Sequence, residues 1–167
     1  MGRKVGTAAA VVGLVGAFTF VGPGQADSGF KNKYPGGEHT QTCDRGDTIT
    51  YVGPEKLWPP NHKLQDVLFI ATNNGADLST TLAVTADVTD EVGGDGGPAH
   101  DPDFIPGANG SGSGEAEVPA QIRSERSGKG EGRTYTIHTA ATFDGTPCSK
   151  DFTVVVPHDM SGGADWK

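Results

Sequence analysis

The chain has little of what usually announces chemistry. Among its 167 residues are two cysteines, two methionines and two tryptophans, and aromatic residues make up only 7%. Neither cysteine has a second cysteine nearby or a basic neighbour suited to lowering its pKa, which argues against a thiolate metal site or a reactive thiol. No Gly-x-Ser-x-Gly elbow, His-Glu-x-x-His helix or glycine-rich phosphate loop is spelled out. Positive charge is scarce, with 13 Lys and Arg against 21 Asp and Glu and a formal net charge of −8. That balance does not suit a nucleic-acid or anionic-membrane binder, and no basic patch with interleaved aromatics is present. Beyond residue 21, no apolar run approaches the ~20 residues of a spanning helix.

What is there begins with an export signal. Arg3 and Lys4 precede an apolar run from Val5 to Val21, and Gly22-Pro23-Gly24-Gln25-Ala26 supplies the small residues of a cleavage region. Residues 1–26 are therefore expected to be a signal peptide. Losing Arg3 and Lys4 with it moves the formal charge from −8 to −10. The mature product is expected to be secreted and extracellular, without stable membrane insertion. Residues 27–42 hold few apolar anchors and no sustained period, so they read as a flexible leader or an edge wrapping. The C-terminal stretch 160–167 reads as a flexible tail.

In an exported chain, two cysteines most simply form one disulfide, and Cys43–Cys148 would close most of the domain. Such a bond places the approach to the first strand beside the entry to the last. The Arg45-Gly46-Asp47 triplet just beyond Cys43 could be displayed to a receptor, but three residues specify little and chance explains them better.

Period-two alternation dominates the remainder. Thr48–Val52 is a short strand candidate, and Lys63–Thr72 sets Leu64, Asp66, Leu68 and Ile70 against Val67 and Phe69. Leu78–Val88 is the cleanest pattern, with Leu78, Leu82, Val84, Ala86 and Val88 opposite Ser79, Thr81, Thr85 and Asp87. Glu115–Glu125 sets Val118, Ala120 and Ile122 against polar residues, although Pro119 argues for an edge or a bulge. Arg133–Phe143 turns Tyr135, Ile137, Thr139, Ala141 and Phe143 to one side, and Asp151–Val156 does so with Phe152, Val154 and Val156. Six or seven antiparallel strands with no convincing helix are best buried as a two-layer β-sandwich over residues 43–159.

Trp58-Pro59-Pro60-Asn61-His62-Lys63 organises this series. Two prolines end the preceding ladder and hold an extended approach to the next strand. Trp58 is expected to plug the end of the core, and the alternative makes it the platform of an exposed sugar or peptide site. His62 is a ligand-binding candidate together with Trp58, and its competing reading is a hydrogen-bonded rim residue. With Glu125-Arg126-Ser127-Gly128, Gly132-Arg133-Thr134-Tyr135-Thr136-Ile137 and Val156-Pro157-His158-Asp159, this segment resembles immunoglobulin-like modules of bacterial secreted and surface proteins. The resemblance spans about residues 43–159 and implies an immunoglobulin-like antiparallel β-sandwich and an extracellular location more than an activity. Asp144-Gly145-Thr146-Pro147-Cys148 departs from the turn usual in such modules, as a disulfide replacing a simple turn would require.

The acidic, glycine-rich stretch from Asp90 to Asp103 is the most informative segment outside the strands. Calcium takes about 6–8 oxygen ligands in flexible geometry, and Asp90, Glu91, Asp95, Asp101 and Asp103 offer carboxylates, with Asp87 a possible addition. The spacing is not an EF-hand, so a solvated acidic loop is the competing reading. With Asn109-Gly110-Ser111-Gly112-Ser113-Gly114, residues 90–114 form a long connection that serves as a binding surface or as simple disorder. His62, His138 and His158 could meet in space, although His138 has the parity of a wet strand face. The expected function is a non-enzymatic binding or adhesion module for an extracellular protein or glycan. A structural secreted protein without a dedicated ligand is the alternative, followed by a hydrolytic enzyme.

Overall fold

A computed structural model describes residues 33–75, 78–89, 102–126 and 132–158. Over these residues the chain runs through β1 (Gly37–Thr42), a 3-10 turn at Asp44–Gly46, β2 (Thr48–Gly53), β3 (Leu64–Thr72), β4 (Ser79–Thr89), β5 (Phe104–Pro106), β6 (Gly110–Ser113), β7 (Glu115–Arg123), β8 (Gly132–Phe143) and β9 (Thr146–Pro157). Two antiparallel sheets result, one of five strands in the order β1-β2-β3-β7-β5 and one of four in the order β6-β4-β8-β9. This is an all-β, two-layer sandwich. Among the described residues, no helix is long and apolar enough to cross a membrane.

The core follows the parities. Val67, Phe69 and Ala71 from β3, with Ala116, Val118, Ala120 and Ile122 from β7, face Leu82 and Val84 of β4 and Tyr135, Ile137, Ala141 and Phe143 of β8. Tyr51, Phe69 and Phe152 meet between the layers with ring centroids 5.2–6.2 Å apart, the spacing of tilted aromatic pairs. The other face of β3 is covered as well. Tyr34 packs on Val52, Leu68 and Ile70, which explains why both parities of β3 are apolar. A disulfide joins Cys43 to Cys148 with Cα atoms 6.1 Å apart, tying the approach to β2 to the start of β9.

Three sequence expectations change. Of the two readings of 27–42, the flexible leader gives way to the edge wrapping at its C-terminal end, because Gly37–Thr42 is the edge strand β1, in register with Thr48–Gly53 of β2. Edge strands need apolar residues on one face at most, so their periodicity is weak in the sequence. The unstructured reading of 90–114 gives way to β5 and β6 in its second half. The glycines of Gly110-Ser111-Gly112-Ser113 permit close approach here: a Cβ on Gly112 would lie 2.1 Å from the Glu115 carbonyl oxygen, and one on Gly110 would lie 2.4 Å from that of Glu117. Pro119, finally, lies in a strand with neighbours on both sides. Its carbonyl accepts the Gly107 N–H at 2.8 Å, so its missing donor faces the side where three-residue β5 has just ended. Residues 1–32 and 159–167, which include the signal-peptide and tail expectations, lie outside the described residues.

Candidate functional site

Trp58–Lys63, Arg123–Glu125, Arg133 and the end of β9 converge at one end of the sandwich. The β2–β3 connection first runs alongside β9: Val155 N–H donates to the Glu55 carbonyl at 2.9 Å and Leu57 N–H donates to the Val155 carbonyl at 2.8 Å, making a parallel bridge at Lys56. Successive side chains of an extended segment point to opposite faces. Leu57 therefore enters the core, 3% exposed, and Trp58 turns outward, 45% exposed. The expectation that Trp58 plugs the core is corrected: Leu57 holds that position.

After Trp58 the peptide bond to Pro59 is cis, and the chain is fastened to the end of β7. Ser124 Oγ donates to the Pro59 carbonyl at 2.8 Å, Ser124 N–H to the Lys63 carbonyl at 2.9 Å, and His62 N–H to the Ser124 carbonyl at 2.9 Å. Arg123 Nη1 reaches the His62 carbonyl at 2.9 Å, and Asn61 Oδ1 accepts the Lys63 N–H at 3.1 Å in an Asx turn. His62 has φ 61°, a left-handed conformation that costs a non-glycine residue energy unless its surroundings hold it. Its ring lies 3.6 Å from the buried Glu125 carboxylate, with the His62 side chain 54% exposed.

Below this connection lies a compact ionic network. Arg133 is buried at the start of β8, and its Nη1 donates to Asp103 Oδ1 at 2.6 Å. Tyr135 Oη donates to the Arg123 carbonyl at 2.7 Å, and Arg123 N–H donates to the Asp103 carbonyl at 2.8 Å. Burial pushes the Tyr135 phenol above its ordinary value, while Arg133 beside it pulls in the other direction. A phenol held in this way is a hydrogen-bond donor and does not serve as a base near neutrality.

Of the expected calcium ligands, Asp90, Glu91, Asp95 and Asp101 lie outside the described residues. The Asp103 carboxylate is paired with Arg133 at 2.6 Å. Asp87 is likewise engaged, through Oδ2 at 3.2 Å from His138 Nε2, and Asp151 Oδ1 holds His138 Nδ1 at 2.8 Å. The hydrogen bonds to Asp151 and then Asp87 raise the pKa of His138. Among the described residues, no group of three or more His, Cys, Asp or Glu side chains has the geometry of a metal site. His138 does not join His62: His62 sits at the Trp58 end, while His138 lies on the outer face of the second sheet between Asp87 and Asp151. In the Arg45-Gly46-Asp47 triplet, Asp47 is 2% exposed and its carboxylate accepts from Arg45 Nη2 at 3.2 Å and from Asn74 N–H at 2.9 Å. That carboxylate is not displayed, so chance stands as the explanation of the triplet.

Sequence reasoning missed the Arg133–Asp103 pair and the His138 clamp. The clamp had a signal, because Asp87, His138 and Asp151 each occupy a wet parity of their strand. The pair had none, since Asp103 precedes Arg133 by a stretch of sequence that says nothing about distance.

No family model and no curated protein matches this chain. Among solved structures, the crystal structure of the GAE domain of GGA2p from Saccharomyces cerevisiae aligns with 74% of this chain and 100% of its own, at 8% identity and a TM-score of 0.39, a likeness that carries no argument.

Proposed function

We propose that this protein is a secreted, non-enzymatic binding module with an immunoglobulin-like arrangement of its sandwich, and that the Trp58 end recognises an extracellular protein or glycan. The exposure of Trp58 on a clamped connection carries this reading. A large aromatic offered to solvent is the type of residue that dominates binding energy at recognition surfaces. The connection on either side of Trp58 is held, by Leu57 N–H to the Val155 carbonyl before it and by Ser124 Oγ to the Pro59 carbonyl and Arg123 Nη1 to the His62 carbonyl after it, so little backbone conformational entropy remains to be lost when a ligand docks. Exposed Asn61, His62 and Lys63 supply a polar rim. The Cys43–Cys148 bond suits an oxidising compartment and supports the secreted reading. The non-enzymatic reading rests on how the ionisable groups are used: Arg133 is held by Asp103 and His138 by two carboxylates.

A glycan array and a panel of purified extracellular matrix proteins, probed with the whole chain and with Trp58→Ala, test the proposal. The expected result is a retained ligand that the variant loses while its melting curve stays close to that of the parent. No ligand on either panel, or equal binding by the variant, overturns the proposal. Leu57→Ala is the internal control for position, because truncating that buried neighbour should cost about 2–5 kcal/mol of stability.

A further inference from the structure

The two sheets leave an opening between β1, at the edge of the first, and β9, at the edge of the second. A cleft of about 340 Å³ lies there, lined by residues that include His39, Gln41, Tyr51, Glu55, Asp151 and Phe152. Its apolar floor comes from Tyr51 and Phe152, both buried, with the His39 ring stacked on Tyr51 at 5.8 Å between centroids. Two carboxylates stand at its margin, each beside an imidazole: Glu55, 68% exposed at the side chain, lies 3.2 Å from His39 Nδ1, and Asp151, 63% exposed, lies 2.8 Å from His138 Nδ1.

The backbone of β9 determines what this cleft can bind. A strand turns the N–H and C=O groups of alternate residues to opposite sides. Val155 directs both of its groups away from β8, to Glu55 and Leu57, so Thr153, Asp151 and Ser149 direct theirs the same way by period two. The Asp151 carbonyl accepts from Gln41 Nε2 at 2.7 Å. Thr153 N–H and C=O face the cleft with no hydrogen-bond partner among the described residues. Natural sheets commonly blunt open edges with proline, charge or a covering element. Here the prolines Pro147 and Pro157 stand near the two ends of β9, Glu55 and Leu57 cover Val155, and the Gln41 side chain covers the Asp151 carbonyl, so the opening is centred on Thr153.

We propose that this edge is a docking groove for an extended basic peptide segment of a partner protein, which adds a strand to the second sheet along the line that Glu55–Leu57 begins. Main-chain hydrogen bonds to Thr153 would hold the peptide, and alternate side chains would lie over His39, which covers the buried Tyr51 ring. Basic side chains match the Glu55 and Asp151 margin and the net charge of −8. The Gln41 side chain already fills one position that a peptide donor could take. Trp58 does not line this cleft, so the proposal stands or falls separately from the Trp58 reading.

The probe is a fluorescein-labelled peptide of alternating lysine and valine, titrated with the whole chain by anisotropy. The same peptide N-methylated at one or the other alternate set of amides serves as its partner. Thr153→Pro removes an N–H that faces the cleft, not one that faces β8, so the β8–β9 ladder keeps its bonds. Saturable binding is expected, weakened by about tenfold or more in Thr153→Pro and in at least one N-methylated peptide, reduced by added salt and unchanged in Trp58→Ala. The N-methylated peptides keep the test independent of how the variant folds. The proposal is overturned by absence of binding up to about 1 mM, or by equal binding of both N-methylated peptides, which would mark a purely electrostatic contact. A dimer of the chain that Thr153→Pro dissolves in sedimentation would also overturn it, because the edge would then belong to a second copy.

Discussion

Replacing Arg133 or Asp103 singly, and then both together, tests the ionic network beneath the Trp58 end. The two groups meet at 2.6 Å with side-chain exposures of 6% and 18%. Removing water from both charges is expensive, and their mutual attraction offsets that cost only while both are present. Arg133→Met leaves the Asp103 carboxylate sheltered without the guanidinium, and Asp103→Leu removes from the buried guanidinium the carboxylate 2.6 Å away. Each single change should cost about 3–5 kcal/mol, the range for breaking a buried pair from one side. The double variant should cost less than the sum of the two single changes, because an apolar pair of similar volume carries no desolvation penalty. Equilibrium urea unfolding at neutral pH with the disulfide intact is the assay. With a slope of about 1–3 kcal/mol per molar, a loss of about 3 kcal/mol moves the midpoint by about 1–3 M. The measurement belongs in calcium-free buffer, since the cost is assigned to Arg133 and not to a cation. Single changes below about 1 kcal/mol, or a double change equal to their sum, would show that the pair behaves as an exposed ion pair and refute the reasoning.

Cys43→Ser or Cys148→Ser opens a loop spanning a sequence separation of 105, and the chain-entropy relation gives a loss of about 4–5 kcal/mol, readable as a lower urea midpoint. Tyr51 and Tyr135 both have phenol pKa values raised above 10.0, chiefly by burial, with the Glu55 charge adding to the shift at Tyr51. Their contribution to stability is complete below the unfolded value near 10.0 and is lost as pH rises through the folded values, so alkaline unfolding should begin above pH 10.0, and Tyr135→Phe should weaken that dependence in a circular-dichroism titration. His138 has a folded pKa above 6.5, so its clamp is fully formed below pH 6.5 and is lost as pH rises through the raised value. An NMR titration should find that raised midpoint, and Asp87→Asn with Asp151→Asn should return it toward 6.5.

Much of the sandwich was legible from local pattern. Leu82 and Val84 in β4, Tyr135 through Phe143 in β8, and Phe152, Val154 and Val156 in β9 face the core on the parity their spacing requires. The pattern works because a strand with one wet face must place its apolar residues two apart, and the chain itself enforces that period. The Cys43–Cys148 pair was legible for a simpler reason, since two cysteines leave one possible pairing. β1 and β6 were not legible, because their stability comes from ladder bonds to neighbours and from close backbone approach, and neither writes an apolar period.

The candidate site divides in the same way. The Trp58–Lys63, Glu125 and Arg133 segments stand out in the sequence as unusual residues, yet their convergence at one end of the sandwich is a property of strand order. Whether Trp58 points inward or outward depends on the bond between Leu57 N–H and the Val155 carbonyl, which joins residues from opposite ends of the domain. Asp103 shows the same limit: its charge is visible in sequence, but its partner Arg133 arrives on another strand. Composition and period determined which residues seek the core and which remain wet. Register and sheet order decided which charges meet, because those distances are set by pairing between segments far apart in the chain.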